Sequence, residues 1–239
     1  MRLLIWDFDG TLGHRRGAKG WSLLLEEALD AEEPGHAHTA EAFRPFLRDG
    51  FPWHRPDVPH LELCGDADGW WESMRPLLAR AYEGVGYPPA RALELAGVAR
   101  RLYVDPAGWS LFDDTLPTLE RLREQGWTHA ILSNHVPELG AIVAGLGLDR
   151  HVAALSCSAD TGYEKPHPLA YASVLERLRP SEGGPTEAWV IGDNVVADVL
   201  GAEAVGIPAV LVRRPDPRAA RFSATLAGVE EFLAETVAA

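Results

Sequence analysis

Cysteine is scarce in this chain: Cys64 and Cys157 are the only two among 239 residues. Two cysteines build neither a disulfide framework nor the four-thiolate site of structural zinc, so the expected setting is a reducing one, the cytoplasm. Positive charge is also short, 22 Lys and Arg against 35 Asp and Glu, a formal charge of −13. That balance speaks against a general nucleic-acid binder, whose basic face must neutralise phosphates. It leaves room for a small anionic ligand, because a local cluster or a bound cation reverses the field at one site. Long apolar runs are missing as well. No stretch reaches the roughly 18 uninterrupted apolar residues of a membrane helix, so no membrane association is expected. The opening Met1-Arg2-Leu3-Leu4-Ile5-Trp6 meets Asp7 and Asp9 before a secretory signal develops. Internal repeats and low-complexity tracts are absent too, and nothing in the sequence sets an oligomeric state.

What remains is an ordinary globular composition in a chain long enough to bury roughly 70–75% of its unfolded surface. Leu3 to Trp6 is a continuous apolar run, the pattern of a strand covered on both faces as in a parallel sheet. Four similar runs follow in the second half, at Thr128–Leu132, Val152–Leu155, Ala188–Ile191 and Pro208–Val212. Between them lie stretches of helical period. Leu116, Leu119 and Leu122 end at Gly126. Leu139, Ile142, Val143 and Leu146 end at Gly147, and Leu169, Val174, Leu175 and Leu178 stop at Pro180. Val195–Ala204 and Ala227–Val237 supply two more helices, and Pro180–Pro185 reads as a loop. Alternating strands and helices with short connections specify an α/β fold, a doubly wound parallel sheet. Residues 14–105 read differently, as helices around Ser22–Leu29, Trp70–Tyr82 and Arg91–Leu102 without a strand run. They are expected to form a helical insertion after the first strand, with 1–13 and 106–239 as the core.

In open parallel sheets, ligands bind beyond the carboxyl ends of the strands. Here those ends carry Asp7 and Asp9, then Ser133 and Asn134, then Gly192-Asp193-Asn194 with Asp198 five residues after Asp193; Lys165 follows the third strand. Carboxylates brought together repel and are driven toward protonation unless a cation sits among them. Oxygen ligands of this kind favour Mg²⁺ over zinc or copper. Lys165 and the Ser133 hydroxyl offer a phosphate dianion a positive charge and a donor, and Gly10 and Gly192 let the backbone approach closely. The pattern points to magnesium-assisted phosphoryl chemistry.

Asp7-Phe8-Asp9-Gly10-Thr11, Ser133-Asn134, Lys165-Pro166 and Gly192-Asp193-Asn194-Val195-Val196-Ala197-Asp198 resemble, in order and spacing, the four motifs of the haloacid dehalogenase superfamily. The resemblance covers residues 1–12 and about 106–212, including the approach Leu116-Pro117-Thr118-Leu119…Gly126 to the second motif, and makes 14–105 a C1-type helical cap. It implies that Asp7 is a nucleophile forming an aspartyl-phosphate. Asp9 would be the acid and then the base, its backbone carbonyl binding Mg²⁺. Asp193 would ligate the metal, with Asp198 supporting it directly or through water. Ser133 and amides near Asn134 and Gly10 would hold phosphoryl oxygens, and Lys165 would orient Asp7. The second aspartate points to phosphate esters, because the dehalogenating members need no such acid. The implied reaction is hydrolysis of the phosphate monoester of a small metabolite; the same motifs serve a phosphomutase, and receiver-like signalling modules share the phosphorylated aspartate and nearby lysine.

Outside the motifs, packing and solvation explain most features. Gly35-His36-Ala37-His38 reads as a solvated loop, Trp70-Trp71 as insertion core with one ring partly exposed, and Cys157 as a small buried hydrophobe. Phe51-Pro52-Trp53-His54-Arg55 suits either packing or contact with a ring-bearing phosphate. His14-Arg15-Arg16 and Asp113-Asp114 depart from the family's usual residues, the latter without a functional reading.

Overall fold

Strand β1 (Arg2–Trp6) occupies the middle of a six-stranded sheet in a computed structural model that describes residues 1–16, 20–178 and 185–235. The short strand β2 is Gly13–Arg15 and β3 is Trp109–Leu111. The remaining strands are β4 (Trp127–Ser133), β5 (Ala154–Cys157), β6 (Glu187–Gly192), β7 (Ala209–Val212) and β8 (Phe222–Ser223). The large sheet runs β5-β4-β1-β6-β7-β8, and every pairing in it is parallel. Trp6 sits level with Ile131 of β4 and Ile191 of β6, so three strands end at the same edge with chemistry-bearing residues next in line.

Alternation along β1 divides its side chains between two apolar layers. Leu4 and Trp6 pack with Leu119, Leu122, Ile142 and Val143 from helices Thr115–Glu124 and Leu139–Gly145. Leu3 and Ile5 pack with Tyr171, Val174 and Val199 on the opposite face. Burial on both faces is why these strands read as unbroken apolar runs. One polar chain crosses the first layer: Trp6 Nε1 donates to His129 Nδ1 at 3.1 Å, and His129 Nε2 lies 2.9 Å from the Leu119 carbonyl. Burial pushes His129 down to about 4, so the ring is neutral and both nitrogens are satisfied.

The inserted segment contains helices Trp21–Glu32, Ala67–Gly84 and Pro89–Val104, which pack on one another. Asp66 caps the second, accepting from the Gly69 amide at 2.9 Å, and Pro89 opens the third, where its missing N–H costs nothing. Their apolar residues join the Leu4 and Trp6 layer in one continuous cluster through Phe8, Tyr103 and Trp109.

Several expectations are corrected. The crossing between sheet and insertion is an antiparallel ribbon, β2 against β3, where the sequence shows no strand run; three residues each are too few to show alternation. β5 starts two residues later than Val152, because the turn Asp149–His151 takes up Val152, whose amide donates to Asp149. Val195–Leu200 is wound as a π-helix before an α-helical turn at Gly201–Ala204. The last helix begins as a 3₁₀ turn, Ala227–Val229, and continues as Glu230–Glu235. Its expected end at Val237 and residues 180–184 of the Pro180–Pro185 loop lie outside the described residues. Trp71 is buried like Trp70, because its Nε1 reaches Glu138 at 2.9 Å and the ring's polar edge no longer needs water. Among the described residues, no helix is long and apolar enough to cross a membrane.

Asp114 acquires a structural reading. Its two oxygens accept from Arg213 at 2.7 and 2.9 Å and one also takes the Leu226 amide, while Arg213 donates onward to the Thr11 carbonyl. Although burial opposes it, the Arg213 and Leu226 donors hold Asp114 below the ordinary carboxylate range. The cluster ties the turn after β1 to the segment after β7. Asp114→Ala strips partners from a half-buried guanidinium, and urea denaturation should show a loss of about 2 kcal/mol; an unchanged midpoint would contradict this role.

Candidate active site

The Asp7 carboxylate lies just past β1, where its amide still donates to the Ile191 carbonyl at 2.9 Å. Asp7 Oδ1 accepts from Ser133 Oγ at 2.9 Å and from Lys165 Nζ at 2.8 Å, and Oδ2 accepts from Thr11 Oγ1 at 3.2 Å. Lys165 Nζ also donates to Asp198 Oδ1 at 2.6 Å and to the Leu132 carbonyl at 2.8 Å, which uses all three of its protons. Burial disfavours the ammonium charge, but Asp198 and Asp7 together outweigh it and hold the lysine above its ordinary value.

Asp198 reaches the lysine because the π-helical turn sets it beside β6. Its Oδ2 accepts from the Asn194 amide at 2.9 Å, and the Asn194 side chain caps the turn through the Val196 and Ala197 amides. One extra residue in such a turn re-aims a side chain, a recurrent device at functional sites. Oxygens of Asp7, Asp193 and Asp198 all lie within 4.8 Å of one another. Burial and then the neighbouring Asp7 charge push Asp193 up to about 7. Burial raises Asp198 to about 6 in spite of Lys165. Converging carboxylate oxygens are hard donors that suit a magnesium-like cation.

Asp9 lines the cavity and is open to water there. Desolvation first, then the Asp7 charge, push it up to about 7 against the opposing pull of Arg15 and Arg214. Its carboxylate is outside the acidic triad. Asn134 and Gly10 sit at this edge with other partners of their own. The Asn134 side chain is committed to the peptide of Lys165, accepting its amide at 2.7 Å and donating to its carbonyl at 2.9 Å. The Gly10 amide donates to the Gly13 carbonyl at 2.8 Å and so faces its own turn. What Gly10 contributes is room: its φ is +93°, and a Cβ there would stand 2.4 Å from Asp193 Oδ2.

Asp7, Asp9, Ser133, Asn134, Lys165, Asp193 and Asp198 line a cavity of about 590 Å³ together with Trp21, Trp53, Pro56 and Tyr103 from the insertion. All four motifs therefore meet at one sheet edge, with Asp7, Ser133, Lys165, Asp193 and Asp198 in mutual reach. The family model of the haloacid dehalogenase-like hydrolases matches residues 1–206. The chain belongs to that family. Among curated relatives of this hydrolase, the ribulose-1,5-bisphosphate 5-phosphatase of Halopiger xanaduensis is 33% identical over 95% of this chain and 91% of its own. The phosphoserine phosphatase of Thermus thermophilus is 30% identical over 99% and 100%. In fold, the hydrolase is similar to the HAD-hydrolase YfnB of Bacillus subtilis, with a TM-score of 0.71 at 19% identity over 97% and 98% of the two chains.

Sequence reasoning missed the supports of the hydrolase site. Glu164, beside Lys165, is buried against His60 from the insertion, with Oε1 3.0 Å from Nε2. The His60 amide donates to the Gly162 carbonyl at 3.0 Å, and at Gly162 a Cβ would meet Leu61 Cδ2 at 2.8 Å, so glycine permits the approach. Partners 104 residues apart leave no sequence signal. Arg15, a departure from the family's usual residues, is buried and donates to the Leu102 carbonyl and to Glu27, each at 2.8 Å, which fastens β2 to the insertion's helices.

Burial pushes Glu164 up to about 8 and pushes His60 down, so near neutrality a carboxyl proton bridges two neutral groups. A carboxyl held more weakly acidic in the folded state than its ordinary 4.5 contributes stability that is full below about 4.5 and is lost as pH rises through about 8. Glu164→Gln keeps the shape and a donor but cannot ionise. Thermal melts across that range should show wild type losing more stability than Glu164→Gln as pH rises; parallel curves would rule the ionisation out.

Proposed function

We propose that this hydrolase cleaves a small phosphate monoester through an aspartyl-phosphate on Asp7, with Mg²⁺ bound and residues 14–105 serving as the cap. The observation that carries the reading is the pairing of two aspartates of unlike environment. Asp7 is charge-paired and hydrogen-bonded on both oxygens, whereas Asp9, two residues on, has a carboxyl pushed up to about 7 that faces the cavity. Two carboxyls set in unlike surroundings can divide the roles of nucleophile and proton donor. The relatives named as phosphatases support hydrolysis over transfer back to a product.

In the first step an Asp7 oxygen attacks phosphorus while the ester oxygen leaves with the proton from Asp9. In the second, Asp9 takes a proton from water, whose oxygen attacks phosphorus and releases inorganic phosphate and the Asp7 carboxylate. Lys165 and the Ser133 hydroxyl orient Asp7 and offset charge on the phosphoryl oxygens. Asn134 acts at one remove by fixing the Lys165 peptide. Asp7, Asp193 and the Asp9 carbonyl would hold Mg²⁺. Asp198, both of whose oxygens are engaged, supports the site from behind. The cation's chemistry is neutralisation of the carboxylate cluster and of the phosphate charge. A small phosphorylated metabolite as substrate fits the cavity's size, and two unpaired cysteines fit a cytoplasmic setting.

Phosphate release from 4-nitrophenyl phosphate should require Mg²⁺, stop with EDTA and vanish in Asp7→Asn. Asp9→Asn should retain metal binding but turn over about 10²–10⁴-fold more slowly, the usual worth of general acid–base catalysis. Metal-independent turnover, or an active Asp7→Asn, would overturn the mechanism.

A further inference from the structure

The cavity above Asp7 is chemically two-sided. Among the described residues, every charged side chain in its lining belongs to the sheet edge: Asp7, Asp9, Lys165, Asp193 and Asp198. The insertion contributes Trp21, Trp53, Pro56 and Tyr103, none of them ionised. Lys165, the only cation among those lining residues, is already shared between Asp7 and Asp198. A second anionic group on the substrate, once its phosphate is seated, would meet no free positive charge from them.

The rings are held as a wall. Trp21 stacks on Tyr103 with centroids 4.5 Å apart and planes 10° apart, and Trp53 stacks on Phe51 at 4.7 Å and 8°. Trp21 in turn touches Phe51 at 4.8 Å and lies stacked 6.1 Å from Trp53, which joins the two pairs. The Tyr103 hydroxyl is directed away from this wall, 3.5 Å from His135 Nε2. Trp21 and Trp53 stay only half-buried although both line the cavity. Half-buried aromatic rings opposite a few polar groups are the usual lining of a ligand pocket, and they suit the apolar, ring-bearing part of a ligand.

Resting on the phosphatase reading, we propose that the leaving group is a flat, uncharged ring system, carried on the alcohol and seated against Trp21 and Trp53 while the phosphate lies at Asp7. A competing chemistry has its own place in the fold. A neighbouring cavity of about 340 Å³ shares Asp9, Trp21, Tyr103 and Asp193 and is lined by Arg15, Arg213 and Arg214. It lacks Asp7, Ser133 and Lys165, and two of its three arginines are committed, Arg15 to Glu27 and Arg213 to Asp114. A carboxylate- or phosphate-bearing leaving group would have to be served from there.

The test compares esters of matched leaving alcohol that differ in the ring: uridine 5′-monophosphate against ribose 5-phosphate, and benzyl phosphate against ethyl phosphate. Phosphoserine and ribulose bisphosphate represent the doubly anionic class. Stacking of one ring on aromatic side chains is worth a factor of about 10 or more, so the ring-bearing member of each pair should lead by that factor in kcat/KM. Trp53→Ala and Trp53→Leu should collapse that ratio mainly through KM, and Trp53→Phe should preserve it; melting curves establish that each variant folds. Equal use within the pairs, a ratio unchanged by Trp53→Ala and Trp53→Leu, or preference for the doubly anionic esters overturns the inference while leaving the phosphatase reading intact. Absence of phosphate release from every ester, 4-nitrophenyl phosphate included, overturns both.

Discussion

A single buried ammonium organises this molecule. Lys165 Nζ joins Asp7 at the end of β1, Asp198 in the turn after β6 and the carbonyl of Leu132 in β4. Three adjacent strands are thereby referred to one point, and the register of β1 between β4 and β6 is what lets one side chain reach all three. Buried ion clusters are weak sources of stability, since desolvation offsets most of the Coulomb attraction. Their worth here lies in position. The lysine is itself placed from two sides, by the Asn134 side chain on its peptide and by the His60–Glu164 contact one residue earlier. Removing the ammonium would leave two buried carboxylates facing each other, and no described side chain nearby replaces it.

One cation cannot balance the cluster. Asp7, Asp193 and Asp198 bring three carboxylates within 4.8 Å, and burial first, then the neighbouring Asp7 charge, pushes Asp193 and Asp198 up. On the proposed reading an incoming phosphate would add more negative charge, and a divalent cation would answer both at once. The acidic balance of the whole chain, −13, therefore says little about the ligand's sign at this point. Asp9 is pushed up as well, by desolvation first and then by the neighbouring Asp7 charge.

What the sequence made legible follows from what is local. The runs Leu3–Trp6, Thr128–Leu132 and Ala188–Ile191 match β1, β4 and β6 because burial on both faces leaves an unbroken apolar signature, and the polar residues at their ends therefore fall on one edge. The ribbon of β2 and β3 is illegible because three-residue strands have no period. Asp114, Arg15 and Glu164 are illegible for another reason: each has its partner far along the chain, Arg213, Leu102 and His60, so the pairing exists only after folding. The π-helical turn at Val195–Leu200 also escapes, since a helix with one extra residue keeps an apolar stripe that reads as an ordinary helix. Asn134 sits in its expected place but with its side chain turned to the lysine peptide, a choice between neighbours that residue type alone does not make.

Division of labour between sheet edge and insertion explains how one set of motifs can serve many substrates. The sheet edge supplies all the ionised groups among the described residues of the cavity and so sets the reaction. The insertion supplies rings and a proline and so sets shape. Relatives covering nearly the whole chain at 30% and 33% identity carry names that differ in substrate, an amino-acid ester and a sugar bisphosphate. Selectivity of that kind has to come from groups that touch the alcohol rather than the phosphate, because the phosphate is common to all. On the proposed reading those groups would be Trp21, Trp53, Pro56 and Tyr103, which line the cavity from the insertion, and three of them are aromatic. The three rings also belong to the same continuous apolar cluster as Trp6 of β1 and Phe8 of the first motif. The aromatic lining is thus packed onto the strand that leads to Asp7, so one core joins the rings to the sheet edge.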